Sequence, residues 1–294
     1  MPNIIHKAQI VASHGKSYIV QCRDRTRLIA STRGKKTDFA CGDWVEIQQL
    51  NQEQAVIESL LPRQTLLYRS DTFRSKLIAA NVTQILIVVA PRPSFTDDLI
   101  SRSLIAAEEA HIKPVIILNK TDLPEIKAAR KQLQFYRHYH YPIIELSARQ
   151  DISALVPLLQ NETSVLVGQS GMGKSTIINT LLPHAQVRVN EFSVALDSGK
   201  HTTTHASLFY LDENSALIDS PGLQSFGLYH LAPEALIHFM PDLQPYIGQC
   251  RFHNCQHRSE PGCAIQTAIA KGEVQASRLA FYQRLQDELT KQSY

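Results

Sequence analysis

No apolar run in the 294-residue chain approaches the eighteen or so residues that a membrane-spanning helix requires. The start, MPNIIHKAQIVASHG, also lacks a charged end followed by a long apolar stretch. These two absences predict a cytoplasmic protein with no membrane partner. Cysteines number five, an odd count, and three of them fall between residues 250 and 263, which excludes a distributed disulfide framework and favours a metal site. There is no internal repeat and no low-complexity segment. Neither sign of charge dominates: the formal net charge is +3 and the pI about 8.5, which permits a nucleic acid partner without demanding one. With 44% hydrophobic residues, the length suffices for one large core or two to three modest ones, and a soluble, multidomain protein is expected.

The pattern changes twice along the chain. Up to about residue 65, short runs (SYIVQC, RTRLIAS, WVEIQQL, QAVIESLL) alternate with turn clusters and predict a small all-β barrel. From Gln84 onward, buried-strand runs alternate with helical stretches: QILIVVA, then DDLISRSLIAAEEA, then PVIIL, a helix from about Glu125 to Tyr136, PIIEL, TSVLVG and STIINTLL. That alternation predicts a parallel sheet with helices on its faces. Beyond Phe226 the pattern is helical and loop-like, with the cysteine cluster and a final helix from about Gln266 to Leu289. The expected division is 1–68, 69–229 and 230–294.

Gly168-Gln169-Ser170-Gly171-Met172-Gly173-Lys174-Ser175 fits the G-x-x-x-x-G-K-[ST] phosphate loop, with a strand leading in and a helix, beginning near Thr176, leading out. Its glycines let backbone N–H groups wrap a phosphate at a helix N-terminus. Lys174 is expected to hold the β and γ phosphates and Ser175 to ligate Mg²⁺. A phosphate loop does not choose a base, but Asn119-Lys120-Thr121-Asp122 can. The Asp122 carboxylate accepts two parallel hydrogen bonds from guanine N1–H and its 2-amino group, a pair that adenine does not offer. Asn119 would brace the loops and the Lys120 stem would lie over the ring. Ser147-Ala148, directly after PIIEL, matches the loop whose backbone amide meets guanine O6. This tetrad speaks against a third reading, a P-loop kinase acting on a small metabolite.

LIDSPG puts Asp219 at a strand end and Gly222 after it, a D-x-P-G element in which Asp219 reaches Mg²⁺ through water and the Gly222 amide bonds the γ phosphate. Between it and the phosphate loop lies the polar stretch SGKHTTTH; one of Thr202, Thr203 or Thr204 should complete the Mg²⁺ shell, with Thr203 chosen. Position 223, where many GTPases place a water-orienting Gln, holds Leu223. His201 is therefore the catalytic candidate, because a neutral imidazole accepts a hydrogen bond from the attacking water, and Gln224 is the alternative.

Base reader, Ser-Ala loop, phosphate loop, threonine segment and D-x-P-G appear in a circularly permuted order. A permutation keeps the site, because the same strands occupy the same places. It changes how the D-x-P-G element is attached: fewer than thirty residues separate Gly222 from Cys250, so movement there passes directly to a C-terminal module. In that module Cys250, Cys255, His257 and Cys263 form C-x4-C-x-H-x5-C, a set suited to a closed structural Zn²⁺ site, with His253 as another fourth ligand.

Together these residues resemble the RsgA (YjeQ) family of circularly permuted ribosome biogenesis GTPases, over nearly the whole chain. The resemblance implies an N-terminal OB-fold RNA-binding barrel that includes TRGKK, the permuted P-loop GTPase domain and a helical zinc module. It further implies binding of GTP and GDP with Mg²⁺, one Zn²⁺ per chain, and binding to the small (30S) ribosomal subunit and its rRNA late in maturation. GTP hydrolysis would be slow alone, stimulated by the subunit and coupled to release, and His201 would be the catalytic residue. LQSF stands here after the glycine, where relatives often carry an Arg-Glu pair. The residues themselves support RNA binding modestly: nine Lys/Arg against six Asp/Glu in residues 1–65, with Arg23, Arg25, Arg27, Arg33, Lys35 and Lys36 near the turns. A solvated hairpin face would have the same charge, and a monomer is expected. The competing class is a nucleotide-gated RNA-binding module with negligible turnover, motivated by Leu223.

Overall fold

A computed structural model describes residues 5–14, 17–34, 38–70, 75–182, 206–220 and 226–291. The N-terminal strands are β1 (Ile5–His14), β2 (Ser17–Cys22), β3 (Arg27–Thr32), β4 (Trp44–Gln49) and β5 (Gln54–Leu60). They pair in the order β1-β2-β3-β5-β4, and β4 pairs back to β1, which closes a five-stranded barrel with β3 and β5 parallel. Closure removes the free sheet edges, and the order is that of an OB-fold. Its interior is filled by two residues from each strand, two apart: Ala8 and Ile10, Tyr18 and Val20, Leu28 and Ala30, Val45 and Ile47, Ala55 and Ile57. That is the strand period made into a core. The sequence reading missed β1, because its early residues His6 and Lys7 face outward and its buried Gln9 breaks the apolar alternation.

Two further strands not anticipated from the sequence, β6 (Leu66–Ser70) and β7 (Ser75–Ala80), make an antiparallel hairpin after the barrel. Beyond it lies the central sheet: β8 (Gln84–Val89), β9 (Lys113–Leu118), β10 (Ile143–Glu145), β11 (Thr163–Val167), β12 (Ser207–Tyr210) and β13 (Ala216–Asp219). Its order is β10-β9-β8-β11-β13-β12, parallel except for β12. All six residues of β8 are buried, as a strand covered on both faces requires. Helices α1 (Asp97–Glu109), α2 (Ile126–His138), α3 (Val156–Leu159) and α4 (Lys174–Leu181) connect the strands. Successive strands wind outward from β8 through β9 to β10, and β11 then starts on the other flank of β8. The order reverses between β8 and β11, the place where α/β sheets open a ligand crevice at the carboxyl ends of their strands. Barrel and sheet join at the Ala12–Ser207 pairing of β1 with β12, and Tyr210 donates to Gln9.

The C-terminal part holds 3₁₀ turns at Pro233–Phe239 and Gln244–Tyr246, then α5 (Ala264–Ala270) and α6 (Ala276–Thr290). The single final helix expected from Gln266 to Leu289 is thus two. Gly272 is left-handed (φ 75°), its N–H bonds the Ile269 carbonyl at 3.0 Å, and the Glu273 N–H bonds the Ala268 carbonyl at 2.9 Å. That pair of bonds is a Schellman stop, which only a residue tolerant of positive φ supplies cheaply. Helix α6 lies on α1: Arg102 meets Glu288 and Arg284 meets Asp98, each at 2.5 Å. Buried Arg278 makes a two-pronged pair with Asp242 (2.8 and 3.0 Å) and donates to Ser101 Oγ. Among the described residues, no helix is long and apolar enough to cross a membrane.

Candidate guanine-nucleotide site and zinc centre

The phosphate loop leaves β11 at Gly168, where a Cβ would lie 2.4 Å from the Val88 carbonyl oxygen of β8. Only glycine allows this close crossing at the switch point. The loop ends at Gly173 (φ 97°), which caps α4, and here a Cβ would meet the Asn119 amide nitrogen at 2.3 Å. The missing side chain lets the base-reading and phosphate loops touch. The Lys174 ammonium folds back on its own loop and donates to the Gly168 and Gln169 carbonyls at 2.5 and 2.9 Å. Burial pulls its pKa down, opposed by the Asp219 carboxylate. Asp219 ends β13 with its own pKa pushed up by burial and held back by Lys174. Ser175 and Thr176 lie in the first turn of α4, while Met172 is fully buried.

Asn119, 1% exposed at the end of β9, is the brace the sequence predicts. Its side chain donates to the Met172 carbonyl at 2.9 Å and accepts from the Ala148 N–H at 3.0 Å. It therefore joins tetrad, phosphate loop and Ser-Ala loop. The Ala148 N–H that Asn119 holds belongs to the Ser-Ala loop. Lys120 (φ 59°) stretches its ammonium to the Gly171 carbonyl at 2.6 Å and the Arg92 carbonyl at 2.7 Å. The Thr121 N–H bonds the Leu146 carbonyl at 3.2 Å. Ser147 donates to Asp122 Oδ1 at 2.6 Å, the main reason the Asp122 carboxyl titrates below its usual range, so it stays an acceptor. A carboxylate has about four lone-pair sites, so this bond leaves room for a two-point contact to a base.

Sequence reasoning passed over the segment 91–96, between β8 and α1. Besides the Arg92 carbonyl it brings Pro93 within 3.2 Å of the Cβ position of Gly171, making it a wall of the same crevice. A Pro-x-Pro directly after a buried strand at the sheet's reversal was the available signal. His201, Thr203 with its neighbours Thr202 and Thr204, Gly222, Leu223 and Gln224 lie outside the described residues.

In the C-terminal module, the Sγ atoms of Cys250, Cys255 and Cys263 stand 3.5, 3.7 and 3.5 Å from His257 Nδ1, and all four ligand atoms lie within 4.8 Å of one another. A tetrahedral zinc with standard Zn–S and Zn–N bonds separates S from N by about 3.6 Å, which the three Sγ–Nδ1 distances match, so the donor set suits that ion. His253 is exposed and lies outside this set. The loop is held in shape by Glu260, whose carboxylate accepts the N–H groups of Gln256, Arg258 and Ser259. His257 itself is left-handed (φ 59°), and Gln283 of α6 donates to its carbonyl at 2.6 Å. Burial raises the Cys255 thiol to about 12, a cost that a central dication offsets.

The loops at 119–122 and 147–148, the phosphate loop and the Asp219 strand thus converge at one crevice while following a permuted chain order. The fold and site define a circularly permuted P-loop GTPase carrying a barrel and a Cys₃His module. A family model described as RsgA GTPase matches residues 60–229. The small ribosomal subunit biogenesis GTPase RsgA of Neisseria meningitidis is 55% identical over 282 residues, 96% of this chain and 92% of that protein. The protein of the same name from Nitrosospira multiformis is 51% identical over 95% of this chain and 90% of its own length. The crystal structure of YjeQ from Thermotoga maritima superposes with a TM-score of 0.73 at 27% identity, covering 98% of this chain and 99% of that one. YloQ, a circularly permuted GTPase, gives 0.71 at 24% identity, covering 98% and 96%, a likeness of fold. The chain belongs to the RsgA GTPase family.

Proposed function

We propose that this protein hydrolyses GTP to GDP and phosphate and uses the cycle to assist late maturation of the small (30S) ribosomal subunit, leaving its rRNA when GTP is spent. The observation that carries the reading is Asn119: one buried side chain ties the guanine-reading loop to the phosphate loop, so base choice and phosphate binding share a site. The names of relatives more than half identical to this chain supply the ribosomal context.

In this reading, the amides of residues 168–175 cradle the phosphates, Lys174 neutralises charge between them, and Asp122 reads guanine through its Watson–Crick edge. Ser175, Thr203 and, through water, Asp219 would hold Mg²⁺, which neutralises developing charge on the transferred phosphoryl group. The Gly222 amide meets the γ phosphate. His201 orients the water, since Leu223 cannot. The four-ligand cluster holds one structural Zn²⁺. The three units are 1–68, 69–229 and 230–294; the β6–β7 hairpin spans the first boundary, with Ala79 bridged to Cys41 of the barrel segment and Leu67 and Ile78 packed in the core of the sheet. A monomer in the cytoplasm fits a partner as large as a ribosomal subunit.

Turnover measured with and without purified small subunits tests the proposal. Stimulation of at least tenfold, on the order of one transition-state contact completed by the partner, is expected, and His201→Ala should abolish it. Leu223 favours one rival, a nucleotide-gated RNA binder with negligible hydrolysis; no stimulation and no effect of His201→Ala would select it.

A further inference from the structure

Strand β10, which leads into the Ser-Ala loop, and strand β11, which leads into α4, are separated in the sheet by β9 and β8. The sheet spaces these strand ends but makes no direct bond between the Ser-Ala loop and the phosphate-binding helix. Two side-chain bonds tie them, and both end on residue 148. Asn119 accepts its N–H, and the hydroxyl of Thr180, in the last turn of α4, donates to its carbonyl at 2.9 Å. Ala148 is 4% exposed, and among the described residues no backbone N–H reaches its oxygen.

A threonine within a helix ordinarily bonds back to the carbonyl four residues earlier, and Thr180 also reaches Thr176 in this way, at 2.9 Å. A hydroxyl has one proton, and the helix does not need it, because backbone bonds already hold the turn. The Ala148 carbonyl does need it. The neighbouring residue is Ser147, whose hydroxyl sets the Asp122 carboxylate. Fixing residue 148 from both sides fixes Ser147 and, through it, the acceptor that chooses the base. We infer that Thr180 is a positioning residue for guanine selectivity, tying the phosphate helix to the base-reading loop through the Ala148 carbonyl. The inference rests on the proposed guanine site.

Thr180 lies on the exposed side of α4, so replacing it does not open the core. The test compares GDP with inosine diphosphate (IDP), which lacks the 2-amino group read by Asp122, in the full-length wild type, Thr180→Val and Thr180→Ser. A looser carboxylate loses the 2-amino contact but keeps the phosphate contacts. Thr180→Val should therefore weaken GDP about three- to tenfold, the scale of one lost neutral hydrogen bond, and weaken IDP less, so the GDP-to-IDP affinity ratio falls. Thr180→Ser retains the donor and should keep the ratio within about twofold of wild type. Equal weakening of both nucleotides, or an unchanged ratio, overturns the positioning role. Thr180→Ala serves if Thr180→Val loses its native thermal transition; if neither variant folds, the bond is a general determinant of the fold and the inference is overturned. A wild type that does not distinguish GDP from IDP removes guanine reading itself. A wild type that does distinguish them, beside a Thr180→Val variant with the full ratio, removes only this inference.

Discussion

At the scale of single residues, the site is built from groups whose titration is shifted by their surroundings. The Ser147 hydroxyl lowers the pKa of the Asp122 carboxyl further, and the ionised group is acceptor only. Asp122→Asn exchanges an acceptor for a donor and should weaken GTP about 10- to 100-fold while improving xanthosine triphosphate, whose edge offers the complementary pattern. Equal loss of both nucleotides in a competition assay would rule out Asp122 as the reader. Asp219 shows the opposite environment: burial raises its pKa above the unfolded value, and Lys174 only partly offsets this. The folded protein then binds that proton more tightly than the unfolded chain, so the contribution of Asp219 to stability is greatest below the ordinary carboxylate pKa and is lost as pH rises through the folded one. Asp219→Asn removes this dependence. In nucleotide-free protein, the thermal midpoint of the variant minus that of wild type should grow as pH rises across this window, and a constant difference would contradict the raised pKa.

At the scale of elements, helix α6 is tied to α1 by polar side chains, Arg284 to Asp98, Glu288 to Arg102 and Arg278 to Ser101. Arg278 and Asp242 are 9% and 3% exposed, and the guanidinium also lies over the Phe135 and Phe281 rings at 5.0 and 5.5 Å. Removing one member of such a pair leaves the other buried and uncompensated. Arg278→Leu should therefore destabilise the protein by about 3–5 kcal/mol, and adding Asp242→Leu should restore part of that loss. Urea unfolding monitored by circular dichroism reads both, and an unaltered midpoint in the single variant would mean that water reaches Asp242. Because α1 begins directly after the segment 91–96 that touches Lys120 and Gly171, the helix gripped by the C-terminal module starts at the nucleotide crevice.

At the scale of the whole molecule, the barrel encloses a core of its own, while the central sheet, the β6–β7 hairpin and the C-terminal module share a second, continuous one. The Cys₃His cluster sits beside α6, where Gln283 bonds the backbone of its histidine and Asp287 pairs with Arg258. Chelation should lower the midpoint of thermal unfolding while GDP affinity changes little, and a thermal profile indifferent to chelator would rule out a structural metal. Much of this was legible in the sequence, because phosphate loop, tetrad and zinc spacing are local patterns whose backbone requirements are met within a few residues. The barrel's inward pairs were legible where alternation was clean and lost at β1, where buried Gln9 serves a partner about two hundred positions away, Tyr210. The stop at Gly272 was hidden because helical periodicity continues across it. The sequence by itself determined which chemical groups are present and in what permuted order, since each motif encodes its own short turn of backbone. Only the tertiary structure decided that Asn119 and Thr180 meet at Ala148, because contacts between segments far apart in the chain depend on the order of the sheet and leave no local trace in the sequence.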